Sequence, residues 1–397
     1  MKPKLAIFIT RLDGGGAEKV VCLLLEALKN RYDIHVILTV LTPNMPVIDG
    51  IKVFFVTKTQ HAAWLNFAKI PFLAYRYKRY LEQNEIPISL SFLFRPNLIA
   101  TAARLLGWRG KVIVSERSSP IAHYSSFGKS GKLILFLIRK LYPKADLILP
   151  NSYGTRNVLE KDLNIKTQYQ VIYNPLDIEK THAEAQRDPL SKNAFFDPFD
   201  AKNHVVKRFK YVCISNLHIY KNQQLIVKAM DKLRDLNIEL WLIGGGTEEA
   251  NLRQLVKKLN LEDRIYIVGY DPQGLIYMKN ADCFVTGTNV EGFPNAQIEA
   301  LCLGLPVIST DCMSGPRELL APNTNCDFML SDGYEKAEFG ILTTVNDVNA
   351  LAAAMKEIYE NNTLRIAYQN RGKKRAEDFS KNIIIEEFAT MINKYYS

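Results

Sequence analysis

Residues 4–28 read KLAIFITRLDGGGAEKVVCLLLEAL, a strand, a glycine-rich turn and a helix in one continuous stretch. Residues 4–10 are apolar and alternating, 13–16 supply the turn, and 17–28 carry apolar residues at helical spacing. The rhythm continues outward. Strands are expected at 33–40, 51–56, 88–92, 111–115, 146–150 and 170–173, with amphipathic helical stretches between most of them. Strands alternating with helices predict a mostly parallel sheet covered on both faces. After Asn174-Pro175 the pattern stops, and residues 180–207 are polar, poorly periodic and interrupted by Pro189 and Pro198. It then restarts, with strands at 210–215, 239–243, 265–268, 282–286 and 306–309. Helices are expected at 222–236, 248–259, 295–303 and 348–360, and a last one near 381–396. The expectation is an α/β chain of two Rossmann-like, doubly wound domains, residues 1–190 and 191–380. The helix of 381–397 is expected to pack back toward the first domain. A ligand would lie at the carboxyl ends of the strands, in a cleft between the domains.

At 397 residues, 47% hydrophobic and 23% charged, the chain has the composition of a soluble globular protein with two cores. The apolar segment at 5–10 is too short for a signal-peptide core, and no apolar run approaches the roughly 20 residues that cross a bilayer. A cytoplasmic location is expected. Six cysteines without C-x-x-C spacing and six scattered histidines speak against a zinc site or a disulfide framework, so no metal is expected.

The net charge of +10 is unevenly placed. Residues 1–190 hold 27 Lys and Arg against 15 Asp and Glu, whereas residues 191–397 hold 24 against 26. This asymmetry predicts an anionic partner for the first half. Nucleic-acid recognition motifs do not accompany the charge, so no nucleic-acid partner is expected. Residues 67–81, FAKIPFLAYRYKRYL, combine aromatic rings with Lys69, Arg76, Lys78 and Arg79. Such a helix can lie on anionic lipid, or it can pack on the sheet as an ordinary amphipathic helix.

The residues with the clearest chemistry are 291–299, EGFPNAQIE, which follow the strand at 282–286 and open a helix. Pro294 suits a helix start because its missing N–H would have no intrahelical partner there. The amides around Asn295 and Ala296 then lie at the positive end of the helix dipole, ready for phosphate oxygens. Glu291 precedes the helix and can reach a sugar beyond the phosphate. Glu299, about one turn in, can accept two hydroxyl hydrogen bonds from a ribose.

This stretch resembles the E-x7-E signature of glycosyltransferase family 4, the retaining enzymes of GT-B architecture. The resemblance implies that Glu291 contacts the donor sugar and Glu299 the nucleotide ribose, with Gly292, Phe293, Pro294, Asn295 and Ala296 around the diphosphate. Residues 309–318, STDCMSGPRE, are similar to a stretch of members that build bacterial surface glycans, with Met313 where proline is usual. Residues 14–19, GGGAEK, resemble the family's G-G-A-E turn, placing Gly15 and Gly16 beside the donor and Glu18 beside the acceptor. Residues 214–222, ISNLHIYKN, resemble a segment in which an Arg and a Lys neutralise the diphosphate. Lys221 matches, but Asn216 stands where the Arg would be, so either Lys221 carries more of the phosphate or another residue such as Arg317 substitutes. Near 114–120, VSERSSP, members often carry a histidine at the donor sugar; here Glu116 and Arg117 either position the acceptor or form a structural ion pair. His123 follows a few positions on, and no catalytic role is transferred to it.

The resemblance implies a hexose or N-acetylhexosamine moved from a nucleotide diphosphate sugar, UDP-linked by preference. The acceptor would be a glycan or polyprenyl-pyrophosphate-linked, at the cytoplasmic face of the inner membrane with the protein bound peripherally. No cofactor is expected. Catalysis falls to Glu291 and Lys221 acting by electrostatics and positioning. The alternatives are a nucleotide-sugar-binding protein without turnover, which Asn216 keeps open, and an epimerase of sugar nucleotides.

Overall fold

The computed structural model describes residues 2–12, 15–40, 49–57, 67–124, 128–188 and 208–396. Asp13, Gly14 and most of the expected 180–207 linker lie outside them, as does the side chain of His123. Two compact units emerge: Met1–Pro175 together with Lys381–Ser397, and Leu176–Ser380. The first unit therefore ends at Pro175 rather than at residue 190. The amide of Leu176 donates to Phe379 O at 2.7 Å, and the helix that follows packs on elements of the second unit.

The first unit runs β1 (Lys4–Ile9), α1 (Gly16–Leu28), β2 (Asp33–Leu38), β3 (Lys52–Phe55), α2 (Ile70–Gln83), β4 (Ile88–Phe92) and α3 (Phe94–Leu105). It continues through β5 (Lys111–Glu116), α4 (Pro120–Tyr124), α5 (Gly128–Leu141), β6 (Leu147–Pro150) and α6 (Tyr153–Asn157). Its sheet has the order β3-β2-β1-β4-β5-β6 with every pairing parallel. Apart from the half-exposed edge strand β3 the strands are almost wholly buried, which explains why β1 (KLAIFI) and β6 (LILP) read as nearly unbroken apolar runs. One face is covered by α1 and the C-terminal helix Lys381–Asn393, whose Ile384, Phe388 and Ile392 complete a core with Val21 and Leu25. The other face is covered by α2, α3 and α5 through Leu73, Tyr77, Ile99, Ile134 and Ile138. The strand expected at 170–173 is absent as a regular strand. The chain there runs extended beside β6, with the amides of Gln170 and Ile172 donating to Ile148 O and Pro150 O.

The second unit comprises α7 (Ile178–Ala185), β7 (Phe209–Ile214), α8 (Gln223–Lys232), β8 (Ile238–Ile243), α9 (Glu249–Lys258), β9 (Ile265–Gly269) and α10 (Gly274–Lys279). Then come β10 (Cys283–Thr286), α11 (Asn295–Cys302), β11 (Val307–Thr310), α12 (Pro316–Leu320), β12 (Tyr334–Lys336), β13 (Ile341–Thr343), α13 (Val348–Glu360) and α14 (Asn362–Glu377). The sheet order is β12-β13-β11-β10-β7-β8-β9, parallel except for the β12–β13 pair. Three-residue strands such as β12 and β13 are too short to give a period, which is why the sequence does not announce them. In both sheets the order reverses beside the first strand of the unit, between β1 and β4 and between β7 and β10. Chains leaving such neighbouring strands diverge to opposite faces, opening a crevice at their carboxyl ends.

Candidate active site

The crevice of the second unit collects the loops after β7 and β10, which pair directly as Cys283 with Tyr211 and Phe284 with Val212. The first loop brings Lys221, the second Glu291. Lys221 Nζ lies 2.5 Å from Glu291 Oε1, with side-chain exposures of 19% and 14%. Burial alone would lower the Lys221 pKa, but the adjacent Glu291 carboxylate outweighs it and holds the ammonium above its ordinary value.

The backbone locks these loops together before the charges meet. The Asn289 amide donates to Tyr220 O at 2.8 Å, and Thr288 Oγ1 donates to the same carbonyl at 3.3 Å. Asn222 adopts a left-handed conformation (φ 50°) at the start of α8, and its Nδ2 donates to Asn289 Oδ1 at 3.3 Å. Asparagine tolerates that conformation better than most side chains, so the residue after Lys221 turns the chain sharply into the helix. The segment after β11 supports the other side. Ser314 Oγ donates to Glu291 O at 2.6 Å. Gly315 (φ 91°) fits so closely that a Cβ there would meet Pro294 Cδ at 2.9 Å and Gly292 O at 3.0 Å. The similarity of residues 309–318 to the family thus has a physical reason: the segment buttresses the 291–294 turn.

Helix α11 starts at Asn295 with Pro294 as its cap, and the amides of Gln297 and Ile298 turn back to Pro294 O. Asn295, Ala296 and Glu299 are its partly exposed positions in the first turns, while Gln297, Ile298 and Ala300–Cys302 are buried. Spacings of three and four place Glu299 on the same face as the first-turn amides. Phe293 is different. Its ring is buried against Phe379, with centroids 5.2 Å apart, so it anchors the turn and offers a ligand only its backbone.

Arg317 does not supply the charge missing at Asn216. It is buried, and its guanidinium donates to Asp311 at 2.6 Å and to Glu335 at 2.8 Å under the ring of Phe328. Asn216 itself is exposed, and its carbonyl accepts from Gln223 Nε2 at 3.1 Å. One further loop belongs to the crevice and was not singled out from the sequence: Gly244-Gly245-Gly246 after β8. A Cβ on Gly244 would meet Ser215 O at 2.0 Å, and one on Gly246 would meet Leu217 O at 2.2 Å. Three consecutive glycines directly after a strand were the available signal.

The first unit treats its charged residues differently. Gly15 and Gly16 are exposed at the start of α1, but the Gly15 amide donates to Glu18 Oε2 at 2.7 Å. Glu18 therefore closes its own helix start, a capping role. Glu116 is fully buried and accepts from Tyr142 Oη at 2.7 Å and Ser118 Oγ at 3.2 Å; burial raises its pKa. Arg117 is buried between the rings of Phe92 and Phe388, donating Nη1 to Ile172 O and Asn174 Oδ1. Its Nε and Nη2 make no hydrogen bond among the described residues, and burial pulls its pKa down to about 9. Neither expectation for the Glu116 and Arg117 side chains holds. They make no ion pair with each other, and neither is open to an acceptor.

The family model described as Glycosyltransferase Family 4 matches residues 14–180, and the one described as Glycosyl transferases group 1 matches residues 196–375. A Campylobacter jejuni protein named N-acetylgalactosamine-N,N'-diacetylbacillosaminyl-diphospho-undecaprenol 4-alpha-N-acetylgalactosaminyltransferase is 33% identical over 384 residues, 95% of this chain and 96% of its own. A second C. jejuni protein, GalNAc-alpha-(1->4)-GalNAc-alpha-(1->3)-diNAcBac-PP-undecaprenol alpha-1,4-N-acetyl-D-galactosaminyltransferase, is 24% identical across 98% of each chain. Among solved structures, Anabaena HepE in complex with UDP matches with a TM-score of 0.74 at 17% identity, covering 98% of this chain and 100% of its own, a likeness of fold. Two doubly wound sheets, a family match on each half and a relative spanning nearly the whole chain lead to one conclusion: the chain belongs to glycosyltransferase family 4, the group 1 glycosyl transferases of GT-B fold.

Proposed function

We propose that this chain is a retaining hexosyltransferase. It moves a hexose or N-acetylhexosamine from a UDP-linked donor to a glycan or polyprenyl-diphosphate-linked acceptor. The observation that carries this reading is the Lys221–Glu291 pair at the switch point of the second sheet, beside the start of α11. Without donor the two charges satisfy each other. Donor binding exchanges their partners, Lys221 turning to the diphosphate and Glu291 to a hydroxyl of the sugar. The bond from the anomeric carbon to the phosphate oxygen breaks, and its electron pair leaves with the diphosphate. Lys221 and the first amides of α11 neutralise that charge as it develops. The acceptor hydroxyl then attacks the sugar cation from the face the diphosphate vacates, and its proton passes to the departing phosphate oxygen. The anomeric configuration is kept.

Glu299 receives the ribose hydroxyls. No metal takes part in this scheme. With Asn216 neutral and Arg317 committed to Asp311 and Glu335, phosphate binding leans on Lys221 more heavily. The UDP and lipid-linked parts of the reading draw support from relatives: the names of both C. jejuni transferases include undecaprenol, and the Anabaena structure holds UDP. The proposed place of action is the cytoplasmic face of the membrane. Among the described residues no helix is long and apolar enough to cross one.

Thermal unfolding with UDP, GDP or ADP, with and without chelator, tests the donor site in wild type and Glu299→Ala. A ligand at 100 times its dissociation constant adds about 2.7 kcal/mol. A chelator-resistant shift with UDP that shrinks in the variant is expected; no shift with any nucleotide, in folded protein, sinks the donor assignment. Binding without transfer to a lipid-linked glycan leaves a nucleotide-sugar-binding protein, the alternative that Asn216 keeps open.

A further inference from the structure

The helical layer formed by α2, α3 and α5 on one face of the first sheet has an outer surface that its core does not explain. Helix α5, GKSGKLILFLIRKL, buries Gly131, Ile134 and Ile138 against the sheet. Its opposite stripe carries Leu133 and Phe136, 43% and 53% exposed, among exposed Lys129, Lys132, Arg139 and Lys140. Lys140 Nζ sits 5.8 Å from the Phe136 ring centre. The helix contains no acidic residue, and none of these four cations pairs with a carboxylate among the described residues.

Helix α2 repeats the arrangement on the other side of α3. It buries Leu73, Tyr77 and Leu81, and turns outward Phe72 and Tyr75, 59% and 54% exposed, with Arg76 and Arg79. Of the cations expected on this helix, Lys78 is turned away, donating to Leu106 O at 2.9 Å and lying 3.5 Å from Glu82. Between the two helices α3 is mostly buried, so α2 and α5 provide the outer surface of the layer.

Single exposed apolar residues are ordinary. Two helices of one layer, each with an exposed aromatic ring and an aliphatic or aromatic partner among cations, are not explained that way. We propose that the first unit docks on an anionic lipid bilayer through both helices, with α5 as a second anchor beside α2. This extends the membrane-facing part of the proposed function and rests on it. The chemistry selects lipid. Rings and Leu133 can enter the headgroup boundary while the flanking Lys and Arg reach anionic headgroups. A second copy of this chain is disfavoured, because apposing two such faces would set cation against cation. A platform of two helices also fixes rotation about the membrane normal's perpendicular axes, which one helix alone does poorly.

The test is flotation of the full chain with vesicles of phosphatidylcholine alone, or of equal parts phosphatidylcholine and phosphatidylglycerol. Wild type is expected to float only with the anionic vesicles, and less at high salt. Lys132→Gln/Lys140→Gln is expected to weaken binding on the order of fivefold per cation removed. Leu133→Ser/Phe136→Ser, which leaves every charge in place, is expected to weaken it on the order of tenfold. All these positions are exposed, and unchanged melting of each variant verifies its fold. The proposal is overturned if both α5 variants float like wild type, if wild type ignores anionic vesicles, or if it binds zwitterionic ones equally. Preferential retention on single-stranded nucleic acid in place of vesicles overturns it as well. The UDP-induced thermal shift, measured on the same proteins, separates the two ideas: its absence defeats the donor site while the flotation result still stands for the surface.

Discussion

The two sheets end in comparable chemistry and use it differently. At the carboxyl end of the first sheet, Glu116 and Arg117 are an acid and a base side by side in sequence. Glu116 turns to Tyr142, Arg117 lies between Phe92 and Phe388, and both are buried. At the carboxyl end of the second, Lys221 and Glu291 are 70 positions apart, yet meet at 2.5 Å in a partly open crevice. Adjacency in sequence put the first pair on successive residues at a strand end, where side chains point apart. Separation in sequence brought the second pair onto loops from neighbouring strands, which the topology delivers to the same place. Charged residues at a strand end therefore indicate a reactive site only when their burial leaves room for a ligand.

Breaking the second unit's support should have the largest effect on stability. Arg317→Ala leaves Asp311 buried without its partner, and a loss of roughly 3–5 kcal/mol is expected, read from chemical denaturation. A loss below about 1 kcal/mol would mean that the Asp311–Arg317 pair is replaceable and that residues 309–318 hold the Glu291 turn by packing alone. Next comes the Lys221–Glu291 pair, proposed to act on the donor. Glu291→Gln keeps shape and removes the charge, so turnover should drop about 100- to 1,000-fold, with a smaller loss of stability than Arg317→Ala causes because the Lys221–Glu291 pair is less deeply buried. Full activity in that variant would remove Glu291 from the chemistry and leave the two sheet ends alike.

The smallest effect belongs to the first unit. Because burial raises the Glu116 pKa, the folded state binds its proton more tightly than the unfolded chain. Its contribution to stability therefore falls as pH rises above the ordinary carboxylate value of 4.5. Glu116→Gln should lose that slope, so the variant gains relative to wild type as pH climbs from 4.5 toward neutrality, measured as melting temperature against pH. Parallel curves would show that Glu116 keeps its charge through another contact.

Much of this was legible in residues 4–28 and 291–299. Alternation of buried strands with amphipathic helices has a period that survives without tertiary information, so the two doubly wound sheets could be read directly. The glutamates eight positions apart around a helix start could be read too, because their geometry is local to one turn and one helix. The position of Lys221 on the loop before α8 was legible too, because it follows from the local strand–loop–helix order. What the sequence by itself determined, then, was periodicity and local geometry. Only the tertiary structure decided which charges are free to act: that Arg117 lies between two rings and that Arg317 is held by Asp311 and Glu335; it also turned the Phe293 ring inward. It also decided that the Gly244–Gly246 loop fits against residues 215–217 and that α5 turns Leu133 and Phe136 outward. The reason is physical. Burial and partner choice depend on residues distant in the chain, and a charge changes from ligand to structural element according to what lies within a few ångströms.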